Sequence, residues 1–226
     1  MKPLNLLLAR HCPKGEKNAA GMKDQMEMIR KKIVSRGFLL TKIVVDPDSI
    51  LAPLKEVVPG LTTVGARSHV ADAEVEIRVI KERFRCLEAS RNVPVAKRFV
   101  KFLVYYAIAM RNCILRNEQT VIAREAFTGV KFDCKRDMRG KFLEYVQATV
   151  IPDDKSGEEP RTTAALFLFS AGNAEGSVYM YDLTSERVFL CDHFTIRPMS
   201  ELVIAKCIEF WEKDEPPQRR RRKAKW

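Results

Sequence analysis

The hydrophobic pattern changes period part-way along the chain, and that change limits the folds open to it. Before about residue 116, apolar residues recur at helical spacing between short apolar runs. From residue 142 onward four β-rich runs follow one another: "FLEYVQATV", "AALFLFS", "SVYMYD" and "RVFLCDHFTI". Pro152-Asp153-Asp154, "AGNAEG" and "LTSE" separate them as turn signals. Short strands at even spacing predict a small all-β barrel or sandwich. The strand–helix–strand order of the first part predicts an α/β sheet. The expected organisation is an α/β part over 1–116, a polar connector over 117–140 and a small β domain over 141–198. A helix over 199–213 and a basic tail over 214–226 complete it.

Within the first part, "LNLLLAR" (Leu4–Arg10) reads as a buried strand. A chain that opens in mid-strand leads to the expectation that a preceding strand is missing. Met22, Met26, Ile29 and Ile33 then form a helical face, with Gly37 as its C-terminal stop. "LLTKIVV" reads as a strand ended by Pro47, and "LTTVGA" as another. The strongest helix lies over 72–87, where Ala73, Ile77, Ile80, Phe84 and Leu87 define a face expected to be buried. On another face of it Glu74, Arg78, Lys81 and Arg85 make a row that begins acidic and continues basic. Pro94 is read as opening a mostly apolar helix that runs to about Arg116. Ser200 is read as the cap of the last helix, "SELVIAKCIEFWEK".

Composition narrows the function classes. The formal charge of the 226 residues is +11, and the closing "RRRRKAKW" (Arg219, Arg220, Arg221, Arg222 onward) carries six of the basic side chains. Such a run marks a nuclear-localisation or nucleic-acid patch, so the expected partner is an acidic polymer and the expected location nuclear, otherwise cytoplasmic. No apolar run approaches the ~20 residues needed to span a bilayer, and no membrane partner is expected. Six scattered cysteines without a CxxC pair fit a reducing compartment. Cys191-x-His193 is the nearest approach to a ligand pair and lacks two further ligands.

Against this positive background, "TKIVVDPDSI" places Asp46 and Asp48 at the mouth of a strand. Ligands of α/β sheets gather outside the carboxyl ends of the strands. Carboxylates there, joined by Glu74 from the following helix, could hold divalent metal for phosphodiester chemistry. The structural alternative is equally physical. Asp46-Pro-Asp48-Ser is a good turn and cap sequence, and Glu74 with Arg78 is an i, i+4 surface pair.

Four stretches in order resemble the integrase region of a copia-type long-terminal-repeat retrotransposon polyprotein. "VVDPDSI" resembles the strand end bearing the second catalytic Asp. "HVADAEVEIRVIKERFR" resembles the helix bearing the catalytic Glu with an Arg four residues on. "VIAREAFTGVKFD" resembles the family connector, and "GSVYMYDLTSERVFLCDHFT" resembles strands downstream of the core. The resemblance spans roughly 2–198.

The resemblance implies a ribonuclease-H-like core, lacking its first strands here, followed by the barrel-like β domain. It implies Asp46 and Glu74 as catalytic and metal-binding residues, with Mg or Mn as cofactor. It implies DNA as partner, held through Arg78, Lys81, Arg85 and Arg219–Arg222. The first acid of the family would precede Leu4, so the expectation is an integrase-derived chain that binds DNA non-specifically and is catalytically defective. Ile77 stands where the family has Asn, and Pro47-Asp48 replaces a Gly-bearing loop. Two other expectations stand beside this one. One is an active Mg- or Mn-dependent strand transferase or endonuclease, with Asp48 or another acid completing the site. The other is an assembly module that self-associates.

Overall fold

The computed structural model describes residues 6–13, 18–40, 42–45, 60–63, 71–91, 93–116, 119–149 and 161–214. They fall into two compact units, Leu7–Glu82 and, together with Leu6, Arg83 onward. The protein is mixed α/β.

In the first unit, helix α1 (Ala19–Val34) starts where Asn18 Oδ1 accepts the Gly21 N–H at 2.8 Å. This satisfies one of the donors left over at a helix start. It stops at Gly37, whose φ of 79° is the left-handed conformation that a glycine adopts without penalty, as its position predicted. Met22, Met26, Ile29 and Ile33 are all half-buried. Residues 6–10 form no strand. Their apolar run matches a strand in composition, but no described strand pairs with it, and a ladder needs a partner. Strands β1 (Ile43–Val45) and β2 (Leu61–Thr63) pair in parallel, with Ile43 opposite Leu61 and Val45 opposite Thr63. A parallel pair requires a crossover rather than a hairpin. Asp46 and the rest of the link lie outside the described residues.

Helix α2 (Ala71–Ala89) runs from the first unit into the second. The face expected to be buried is covered only toward its C-terminal end. Phe84 and Leu87 pack against the core of the second unit, Ile80 is half-buried, and Ile77 is 51% exposed. Periodicity shows which residues share a side of a helix. It does not show how far along that side a partner extends.

The second unit is built on a five-stranded antiparallel sheet. Its strands are β3 (Tyr145–Thr149), β4 (Thr162–Ser170), β5 (Val178–Asp182), β6 (Val188–Cys191) and β7 (Phe194–Ile196), in the order β6-β5-β4-β3-β7. The run "RVFLCDHFTI" therefore supplies both edge strands, joined only by Asp192 and His193. So short a link requires the sheet to curl until its edges approach at that end. There the Cys191 thiol donates to His193 O at 3.0 Å, and Thr149 N–H donates to the same carbonyl at 2.9 Å. A bulge between Phe167 and Phe169 in β4 supplies part of the bend.

Two helices close the sheet. Val93, Val95 and Ala96 are buried before a 3₁₀ turn (Lys97–Phe99) leads into α3 (Val100–Asn112). The helix thus begins six residues after Pro94, where one was expected to open. A residue before proline is biased away from the helical region, and Ala96 is still extended at ψ 148°. Phe99 meets Tyr181 edge to face at 4.8 Å, and Phe102 stacks on Phe169 at 6.4 Å, so α3 lies on the sheet. Helix α6 (Glu201–Asp214) buries Val203, Cys207 and Phe210 into the same core.

Gly140 marks how tightly this core closes, since a Cβ there would lie 2.7 Å from the buried Phe167 ring. Gly140→Ala is expected to cost about 2–3 kcal/mol, because the ring has no room to withdraw. Gly129→Ala, at a φ of 71° with open space around it, is expected to cost only about 1 kcal/mol of backbone strain. Urea unfolding of the two variants checks this, and equal losses would contradict the packing argument.

Candidate nucleic-acid interface

The 3.6-residue period of α2 sets Glu74, Arg78, Lys81 and Arg85 along one side, and all four are exposed. Exposure follows from the sequence, since long charged side chains keep their heads in water unless paired. The row is not purely basic. Glu88 follows Arg85 by three residues and Glu82 lies beside Lys81, both exposed. Three cations bounded by acids can meet phosphates along a short stretch of backbone.

The other residues singled out from the sequence are not brought to this row. Asp46, Asp48 and Arg219–Arg222 lie outside the described residues. Among the described residues no cluster of three or more His, Cys, Asp or Glu side chains is placed to hold a metal ion. Glu74 by itself offers too few oxygens for Mg or Mn, which take about six. Cys191 and His193 do not form a ligand pair, because the Cys191 thiol is buried and spends its proton on backbone carbonyls. Burial also pushes that thiol upward from its ordinary pKa. Among the described residues no helix is long and apolar enough to cross a membrane.

The connector turns out to be an ordered clasp. Helix α4 (Ala123–Thr128) ends at Gly129 in the left-handed conformation, and Thr128 Oγ1 donates to Arg124 O at 2.9 Å. Glu125 accepts the Phe132 N–H. Asp133 caps the four-residue helix α5 (Cys134–Asp137) by accepting the Lys135 N–H at 2.8 Å. At the centre Asp137, 2% exposed, accepts from Arg124 at 2.5 and 2.9 Å and from Arg136 at 3.0 and 2.8 Å. The Asp133 N–H adds a further bond at 2.9 Å. Burial pushes the carboxyl of Asp137 upward, but the hydrogen bonds from Arg136 and Arg124 outweigh it and hold its pKa at about 2. None of this was read from the sequence, where 117–140 was expected to be a polar connector. The available signal was the Asp133–Asp137 spacing, which suits a cap followed by a second acid one turn on.

A cavity of about 530 Å³ lies beside the clasp, lined by Leu87, Tyr106, Met110 and Phe132 with the thiols of Cys86 and Cys113. Burial pushes the Cys113 thiol upward, which keeps it protonated and unreactive at neutral pH. The walls are packing surfaces and present no pair of base and nucleophile.

No protein-family model matches the chain, and no curated protein matches it.

Removing the Asp137 charge leaves two guanidiniums facing one another, one of them buried. Asp137→Asn is expected to cost about 3–5 kcal/mol at pH 7. The folded pKa lies below the ordinary value of 3.8, so the stabilisation is complete above about pH 4 and is lost as pH falls toward 2. That loss amounts to about 2 kcal/mol for this one group. Unfolding followed between pH 5 and pH 2 checks both statements, and a variant with an unchanged acid limb would contradict the second.

Proposed function

We propose that the protein binds the nucleic-acid backbone, with duplex DNA as its ligand, through Arg78, Lys81 and Arg85 of α2 aided by Arg219–Arg222. One observation carries the reading: three cations stand exposed in register on one helix face of a chain whose net charge is +11. Neutralising phosphates releases counterions, so such a surface binds without reading bases and weakens with salt.

The ancestry reading belongs to the same proposal. A parallel strand pair followed by the Glu74 helix is the order of elements expected of a ribonuclease-H-like integrase core. The two-residue link between the edge strands of the second sheet favours a barrel-like closure downstream of it. Both support an integrase-related chain of copia type. The proposal is confined to binding, the activity that the exposed cations of α2 support directly. Binding through a basic run also suits a nuclear location.

Fluorescence anisotropy with a labelled duplex, titrated across salt, tests the reading. The affinity is expected to fall steeply with salt and to vary little with sequence. Changing Arg78, Lys81 and Arg85 together to Ala is expected to lower the slope of log K against log salt by about 2–3. Salt-insensitive binding, or none at low salt, would overturn the proposal. A catalytic role predicts Mn-dependent processing of a DNA end that Glu74→Gln abolishes, and equal activity of both proteins would remove Glu74 from any such role.

A further inference from the structure

The cavity beside the clasp combines apolar walls with a single charge. Three segments of the second unit build it. Helix α2 contributes Arg83 and Cys86, which the helical period sets on one side. Helix α3 contributes Ala107, and Ile114 follows just past its end. The third segment contributes Cys134 of α5 and Met138 directly after it. Ala107 and the two cysteines are short side chains where three elements converge, so they leave the space between those elements unfilled. Protein interiors hold few voids wider than a water. The volume of about 530 Å³ instead falls in the range of small-molecule sites, about 300–1,000 Å³.

Two features of the walls define what fits. Ile114 and Met138 are 38% and 50% exposed, so the cavity meets the surface through apolar side chains that a ligand would cover. Arg83, half-buried, is the one charged residue among those that line it. A neutral apolar ligand would strip water from the guanidinium and return nothing for it. A ligand carrying an oxyanion returns a charge-assisted pair, and the planar fork of arginine suits carboxylate and phosphate oxygens alike.

We propose that this cavity binds a small amphipathic anion, with its apolar chain against Ile114 and Met138 and its oxyanion head on Arg83. The proposal does not rest on nucleic-acid binding. Arg83 lies two residues beyond Lys81 and two before Arg85, so it stands about 200° round the helix from either. The basic row and the cavity wall are therefore different sides of α2.

Isothermal titration of the full chain with decanoate, decyl phosphate and decanol is the test. Decanoate or decyl phosphate is expected to bind saturably, and decanol at least about tenfold more weakly than the better anion. Arg83→Gln is expected to weaken binding of that anion at least about tenfold, whereas Arg85→Gln on the outer side leaves it unchanged. Cys86→Trp, at an exposed lining position, is expected to block binding by filling the cavity while thermal unfolding stays near the parent value. The bound anion is also expected to slow maleimide labelling of Cys86 and Cys134 but not of Cys12, which belongs to the other unit. Absence of saturable binding by both anions at millimolar concentration would overturn the proposal. So would equal affinity for decanol, or equal weakening by Arg83→Gln and Arg85→Gln.

Discussion

A buried carboxylate between two guanidiniums organises the second unit. Asp137 could not be placed in the interior alone, since an unpaired charge there would cost several kcal/mol or give up its ionisation. Arg124 and Arg136 make the burial tolerable, and in doing so they fix the path of residues 124–137. Helices α4 and α5, of six and four residues, are too short to persist without such anchoring. The β4–β5 turn depends on the same cluster. A Cβ at Gly176 would lie 2.5 Å from Arg136 Cγ, and one at Gly172 would lie 3.4 Å from Arg124 Nε. The turn therefore seats against the arginine stems, and the sheet is oriented on the clasp.

Arg98 plays the corresponding part at another point of the same unit. Its guanidinium forks onto Asp214, the last residue of α6, with Nη2 at 3.0 Å and Nε at 3.1 Å. It also reaches Tyr181 Oη at 3.1 Å and Glu186 at 2.6 Å, and lies over the Phe210 ring at 4.6 Å. Three chain segments distant in sequence meet on one side chain. Burial pushes the Asp214 carboxyl upward, but the Arg98 hydrogen bonds win and hold it below its ordinary range. Lysine could not do this, because a point charge lacks the planar fork that engages an acid and a phenol together while stacking on a ring.

The sequence made local order legible where one segment carries its own signal. The turns at "AGNAEG" and "LTSE", the Gly37 stop, the mixed α/β class and the half-buried face of α1 follow from spacing and punctuation alone, while Pro152-Asp153-Asp154 lies outside the described residues. What depends on a partner was not legible. Leu6–Arg10 has the composition of a strand but no described ladder. Ala73 and Ile77 share a face with Phe84 and Leu87 but not their cover. The run "RVFLCDHFTI" reads as one strand, and only the curl of the sheet reveals that Asp192 and His193 divide it between two edges. For the candidate site, the exposure of Arg78, Lys81 and Arg85 was legible because helical period alone predicts it. The clasp was not, because an Arg and an Asp thirteen residues apart have no periodic reason to meet.

The clasp also changes what the resemblance in the connector means. In "VIAREAFTGVKFD" six residues have structural duties that make no reference to DNA. Arg124 binds Asp137, Glu125 holds the Phe132 N–H, Phe127 is buried, Thr128 closes its own helix, Gly129 supplies the left-handed stop, and Asp133 caps α5. A motif in which these six members serve folding is evidence about fold. It argues that a related chain would fold its connector in the same way, and it says nothing about phosphate or metal. The functional weight of the resemblance therefore falls on the short row of α2. There Arg78, Lys81 and Arg85 stand exposed on one side of the helix, which leaves their charges open to an acidic partner.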